Sequence, residues 1–189
     1  PPNVEVYGGF QGSETSRTER DPKSNLTILS GDIGVQGDNS DNSYHVIIPS
    51  NGSVLDGFIV RDGNANQNYN NDDRGKGAGL WADGSNFSVH DCNFSFNSSY
   101  QGGAGVYLID TNVSFVDCTF YLNTTGATGS GAAAYFEDSN VSFLRTNFIM
   151  NSSHFEGGAV FSKNSFIDLN NSLFQENKSL TANGGGAIY

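Results

Sequence analysis

Asparagine carries most of the chemical scope of this sequence. Eleven asparagines open an Asn-x-Ser/Thr triplet, the acceptor for N-linked carbohydrate: Asn25, Asn51, Asn86, Asn93, Asn97, Asn112, Asn123, Asn140, Asn151, Asn170 and Asn177. An acceptor amide must reach solvent, so this density points to a secreted glycoprotein. Other candidates are thinner. His45, His90 and His154 are scattered, with no metal-ligand spacing between them. Asp38 and Asp41, with neighbouring oxygens of the loop from Gly37 to Asn42, form a weak Ca²⁺ candidate. Asp and Asn equally favour turns. Asp72-Asp73-Arg74 reads as a solvated loop, and Cys92 and Cys118 are too few for a disulfide scaffold. The expectation is therefore no catalytic residue, no metal ligand beyond the Asp38/Asp41 candidate, and no cofactor apart from N-linked glycans and that Ca²⁺.

The elements that place these residues follow from an internal repeat. Phe94-Ser-Phe-Asn97 is matched by Phe120-Tyr-Leu-Asn123, Phe148-Ile-Met-Asn151 and Phe174-Gln-Glu-Asn177, in steps of 26, 28 and 26 residues. A second motif keeps step with it: Gly77-Ala-Gly-Leu-Trp81, Gly103-Ala-Gly-Val-Tyr107, Gly131-Ala-Ala-Ala-Tyr135, Gly157-Gly-Ala-Val-Phe161 and Gly185-Gly-Ala-Ile-Tyr189. Within each repeat the pattern has period two. Phe87 and Val89, then, after a bend at His90-Asp91, Cys92, Phe94 and Phe96 share one direction. The later repeats give Val113, Phe115, Cys118, Phe120 and Leu122, then Val141, Phe143, Thr146, Phe148 and Met150. Short strands joined by bends predict a right-handed parallel β-helix, with about three strands per coil and coils roughly 4.8 Å apart. Each inward position becomes a ladder of like residues. Phe94, Phe120, Phe148 and Phe174 form one buried column; Trp81, Tyr107, Tyr135, Phe161 and Tyr189 form another aromatic ladder. A β-sandwich is the alternative, but it has no reason to repeat residue identities at a fixed interval.

The chain reads as one solenoid segment, 1–189. Irregular coils span 1–76 with a polar insertion at 62–76, and regular repeats span 77–189. The chain ends mid-coil on Gly-Gly-Ala-Ile-Tyr189 with no polar cap, so further coils of its own chain, or self-assembly into a filament or surface layer, are expected. A net charge of −11 argues against nucleic acid and anionic membrane. No apolar run approaches the ~20 residues of a membrane span. The outward strand positions Ser88, Ser95, Ser114, Tyr121, Ser142, Ile149, Asp168 and Gln175 stack no carboxylates. A polysaccharide-cutting β-helix needs such a cluster, so its catalytic coils would have to lie outside this segment. Ice-binding Thr-x-Thr rows are absent too.

The same coil divides the asparagines and pairs the cysteines. Asn86, Asn112 and Asn140 each precede an inward residue, so alternation puts them outside, one coil apart, as a row of glycans. Asn93 also faces out, between Cys92 and Phe94. Asn97, Asn123, Asn151 and Asn177 sit at a corner, where the amide either turns inward onto its own ladder or stays outside and takes a glycan. Cys92 and Cys118 share one inward position in adjacent coils, with Thr146 and Ser172 continuing the column. Their Cα spacing suits a disulfide, and secretion favours one, but parallel Cβ vectors favour unbridged thiols packing as small hydrophobes.

The paired Gly-Gly-Ala-Ile/Val-aromatic and Phe-x-x-Asn motifs resemble the repeats of chlamydial polymorphic membrane proteins and related bacterial surface β-helices. The first half is similar to the opening of such proteins at Val6-Tyr-Gly-Gly-Phe10 with Glu14-Thr15, Leu29-Ser-Gly-Asp32, Asp41-Asn-Ser-Tyr-His45 and Leu55-Asp-Gly-Phe58 leading to Gly63-Asn-Ala65. The resemblance implies a β-helix used as an adhesin or stalk at the cell surface, with a glycan or cell-surface ligand as a candidate partner. It implies no reaction. The density of acceptor triplets departs from a typical bacterial member.

Overall fold

The computed structural model describes residues 1–68, 73–181 and 184–189. Its strands are short because polar corners interrupt the apolar alternation every few residues. In one coil they are Leu80–Asp83, Phe87–His90, Asn93–Ser95 and Ser98–Ser99. Each pairs in parallel with its counterpart one repeat on: Val106–Ile109, Asn112–Val116, Thr119–Tyr121 and Thr124–Thr125. Among the described residues four parallel sheets result, of four, six, six and five strands, and together they form an all-β parallel solenoid. The alternation implied about three strands per coil. The fourth is only two residues long and built from Ser and Thr, so it carries no apolar signal.

The core is a set of residue columns. Phe94, Phe120, Phe148 and Phe174 lie in register. Their rings stack at 5.1, 5.1 and 4.4 Å, within 11° of parallel. Phe115 and Phe143 form a second stack at 5.2 Å and meet the first column edge-on. Burying one Phe stabilises by about 1.5–3 kcal/mol. A well-placed ring pair adds roughly 0.5–1.5 kcal/mol. In the second aromatic ladder Tyr107 stacks on Tyr135 at 4.4 Å, Tyr135 on Phe161 at 4.8 Å and Phe161 on Tyr189 at 5.6 Å, while Trp81 is in register with Tyr107 and its ring packs against His45. This ladder lies on the outer face of its sheet, however. The inward positions there are Leu80, Ala82, Val106, Leu108 and Phe136, all buried. The Lys76 ammonium covers the Tyr107 ring at 5.4 Å.

Corners turn through left-handed residues, again in columns. One column is Gly77, Gly103, Gly131 and Gly157; another is Gly84, Asp110, Asp138 and Asn164; a third is Gly57, Asp91, Asp117, Arg145 and Asn171. The fourth is Asp62, Phe96, Leu122, Met150 and Glu176. It corrects the expectation that Phe96, Leu122 and Met150 point inward. A left-handed residue breaks the two-residue alternation, so Phe96 is 51% exposed and the following Asn97 turns in. Ser95, expected outside, is buried.

The first coil is less regular. Glu5–Tyr7 pairs with Val54 to Asp56, and Thr27–Ser30 pairs with Phe58–Arg61. The loop between them is held by a largely buried Arg20–Asp56 ion pair at 2.6 Å. Within the stretch 62–76 expected as a polar insertion, Asn64–Ala65 is a strand that pairs with Ser98–Ser99, and residues 69–72 lie outside the described residues. Among the described residues, no helix is long and apolar enough to cross a membrane.

Candidate functional site

Two asparagine columns run along the solenoid, one inside and one outside. The inner column is Asn97, Asn123, Asn151 and Asn177. Asn97 Nδ2 donates to Asn123 Oδ1 at 3.1 Å, Asn123 Nδ2 to Asn151 Oδ1 at 3.0 Å, and Asn151 Nδ2 to Asn177 Oδ1 at 2.9 Å. Each Nδ2, that of Asn177 included, also donates to a carbonyl of the preceding coil: Val60, Phe94, Phe120 and Phe148. The column starts at Gly63, whose N–H donates to Asn97 Oδ1 at 3.0 Å. Asn97, Asn123 and Asn151 are fully buried and Asn177 is half-buried. Of the two fates open to these corner amides, the structure shows the inward ladder.

The hydroxyl two residues on is equally occupied. Ser99 Oγ donates to Gly102 O, Thr125 Oγ1 to Gly129 O and Ser153 Oγ to Phe155 O, at 2.8–2.9 Å. Ser179 Oγ donates to Thr181 O at 3.2 Å. Both polar members of these four triplets thus have architectural roles, which accounts for part of the triplet density without any sugar. Sequence reasoning missed the hydroxyls. Their only sequence signal is a Ser or Thr at the same phase of every repeat.

The outer column is Asn86, Asn112 and Asn140, all exposed as alternation predicts. It is a ladder too. Asn112 Nδ2 donates to Asn86 Oδ1 at 2.9 Å, and Asn140 Nδ2 donates to Asn112 Oδ1 at 2.8 Å. Exposed Asn51 extends it below, its Oδ1 accepting from the Asn86 N–H at 3.0 Å. Here the amides bond along the row, and their outer edges face solvent. The remaining acceptors are isolated. Asn170 is exposed and donates to Asp168 Oδ1 at 2.9 Å. Asn25 is half-buried, with Nδ2 donating to Gly9 O at 3.3 Å. Asn93, expected outside, is half-buried and its Oδ1 is buried.

Cys92 and Cys118 are buried free thiols in adjacent coils. Cys118 Sγ donates to Val89 O at 3.7 Å, and Thr146 Oγ1, one coil on, donates to Phe115 O at 3.4 Å. Burial pushes the Cys92 thiol up to about 12 and raises that of Cys118 as well. In the Asp38/Asp41 loop both carboxylates accept backbone N–H groups: Asp38 Oδ1 from Ser40 at 2.9 Å and Asp41 Oδ2 from Val35 at 2.8 Å. They act as turn caps. Among the described residues, no three His, Cys, Asp or Glu side chains gather as a metal-holding group. His45 Nδ1 lies 3.1 Å from Gly77 O, His90 ends a strand and His154 packs edge-on to Phe155. Asp72 of the acidic pair lies outside the described residues; Asp73 pairs with Lys76 at 3.2 Å.

Fold and side-chain columns together define a parallel β-solenoid with internal amide and aromatic ladders. No family model matches the chain, and none of the curated proteins or solved structures matches it.

Proposed function

We propose that this chain is a non-catalytic structural or adhesive module of an extracellular, glycosylated surface or filament protein. The observation behind this reading is how the polar side chains are used. The inner amides and the corner hydroxyls bond to one another or to backbone, and so serve the coil. A hydrolase or lyase needs the opposite, groups held ready for a substrate. The repeat motifs and their resemblance to bacterial surface β-helices support the same reading. The outer faces offer a glycan or cell-surface ligand a long, regular surface, and the end coils offer strand edges to further coils of the chain or to another copy.

The test is turnover. The purified chain is incubated with neutral and acidic polysaccharides, with and without Ca²⁺, and new reducing ends and unsaturated products are measured. No product above a buffer control is expected. Product release abolished by one Asp or Lys substitution would overturn the non-catalytic reading.

A further inference from the structure

We propose that Asn140 is an occupied acceptor of the outer row, and that its first sugar lies in a shallow trough against the ring of Phe166. The proposal rests on the reading of this chain as a secreted surface module and names where its carbohydrate sits. The trough has a volume of about 420 Å³ and is lined by Asn112, Ser114, Asn140, Ser142, Phe166 and Asp168, among others.

Register builds this seat. Asn112 faces Asn140, and Asn140 faces Phe166. Phe166 therefore interrupts a column that holds asparagine in the three coils before it. It points outward on the last strand of its sheet and is 66% exposed. Leaving such a ring in water forgoes the gain of burying it. A sugar linked one rung below meets it well, because the C–H face of a pyranose packs on the electron-rich face of an aromatic ring. Ser142 and Asp168, paired beside Asn140 and Phe166, provide hydroxyl and carboxylate partners for sugar hydroxyls.

The neighbour one coil on selects the rung. Asn112 and Asn140 each use one Nδ2 hydrogen in the ladder and keep the other replaceable. Asn86 and Asn112 are each followed in the column by another asparagine, and Asn140 is followed by Phe166. Rungs lie about 4.8 Å apart. Two sugars cannot sit side by side at that spacing, so a glycan on Asn140 leaves Asn112 bare. A glycan on Asn97, Asn123 or Asn151 would remove an amide hydrogen that the buried ladder uses. Chains modified there do not reach the folded pool. Chemically, the glycan moves from a polyisoprenoid diphosphate carrier. The C1–O bond to phosphate breaks, the C1–Nδ2 bond forms, and the amide proton leaves with the diphosphate.

The test combines glycopeptide mapping with melting temperatures. In folded protein secreted by a eukaryotic host, Asn140 should be occupied and Asn97, Asn112, Asn123 and Asn151 bare. Asn140→Gln should then lower the melting temperature by several degrees when Phe166 is present and by much less in the Phe166→Ser background. In protein made by bacteria without N-glycosylation, Asn140→Gln should cost the same in both backgrounds. Occupied triplets elsewhere with Asn140 bare would overturn the seat and leave the glycoprotein reading standing. A chain with no occupied triplet would overturn both. Equal losses in the two backgrounds of the secreted protein would show that the sugar does not rest on Phe166.

Discussion

Asn123 shows what one amide does in this core. Its Nδ2 donates to Phe94 O and Asn151 Oδ1, and its Oδ1 accepts the backbone and side-chain N–H groups of Asn97. Truncation to Ala leaves several buried polar groups unpaired at once, each worth about 1–3 kcal/mol. We expect Asn123→Ala to destabilise by about 3 kcal/mol or more in urea unfolding. Asn112→Ala in the exposed ladder should stay within roughly 1 kcal/mol. Similar losses at the two sites would mean that the inner ladder is not fully buried. The cysteines give a pH signature. An unfolded thiol titrates near 8.5, while burial holds Cys92 at about 12. Above the unfolded value the unfolded chain gives up a proton that the native chain keeps. Stability is therefore full below about pH 8 and falls as pH rises toward 12. Cys92→Ser should flatten that alkaline decline relative to wild type, measured as melting temperature against pH. Because the thiolate is the nucleophile, both thiols should resist alkylation at neutral pH until the chain is unfolded.

The corner is the element that decides how the strands face. Three of the four left-handed columns carry Gly, Asp or Asn in most coils, the types that tolerate this conformation. The fourth carries Phe96, Leu122 and Met150, at φ of 56°, 51° and 54°. A bulky residue held there costs on the order of 1–2 kcal/mol. Met150 is 38% exposed, so little packing opposes its replacement. Met150→Asn should therefore raise stability by about 0.5–1 kcal/mol. A loss of that size would show that the Met side chain holds the corner by contact. Gly103 is the opposite case: a Cβ added there would meet Val106 O at 2.3 Å. These corners also mark where the fold could be read in advance. The Phe column was legible because identical residues recur in register, and the outer asparagines because alternation held around them. The bend at His90-Asp91 was legible from its Asp. The corner at Phe96 was not, because nothing in Phe, Leu or Met announces a left-handed residue, and Phe96 and its counterparts were placed one face wrong. The two-residue fourth strand and its hydroxyl bonds were hidden because they depend on turn geometry rather than on apolar pattern.

At the scale of the whole molecule, stability is a sum over stacked coils, each touching only its neighbours. Central coils are covered on both sides; end coils are covered on one. Outside the fourth corner, exposed large side chains gather mostly in the end coils: Val4, Val6, Leu26 and Ile28 at one end, Leu169, Leu173, Leu180 and Ile188 at the other. Within residues 1–189 the outermost strands of one sheet are Thr27–Ser30 and Leu173–Gln175. Apolar residues beside unpaired backbone groups make a template for another parallel coil. Opposing this is the net charge of −11, which drives copies apart at low ionic strength. Screening shortens that repulsion to about 3 Å at 1 M salt, while hydrophobic contact does not weaken. Sedimentation velocity should therefore show head-to-tail association that grows with concentration and is stronger at high salt than at low. Ile28→Lys at one end, or Leu173→Lys at the other, should each suppress it, since a heterologous contact fails when either face is spoiled. Lys at the outward strand position Ser114 should have no such effect. A chain that stays monomeric at high salt and high concentration, or that associates equally well with both end faces charged, would show that these edges do not stack.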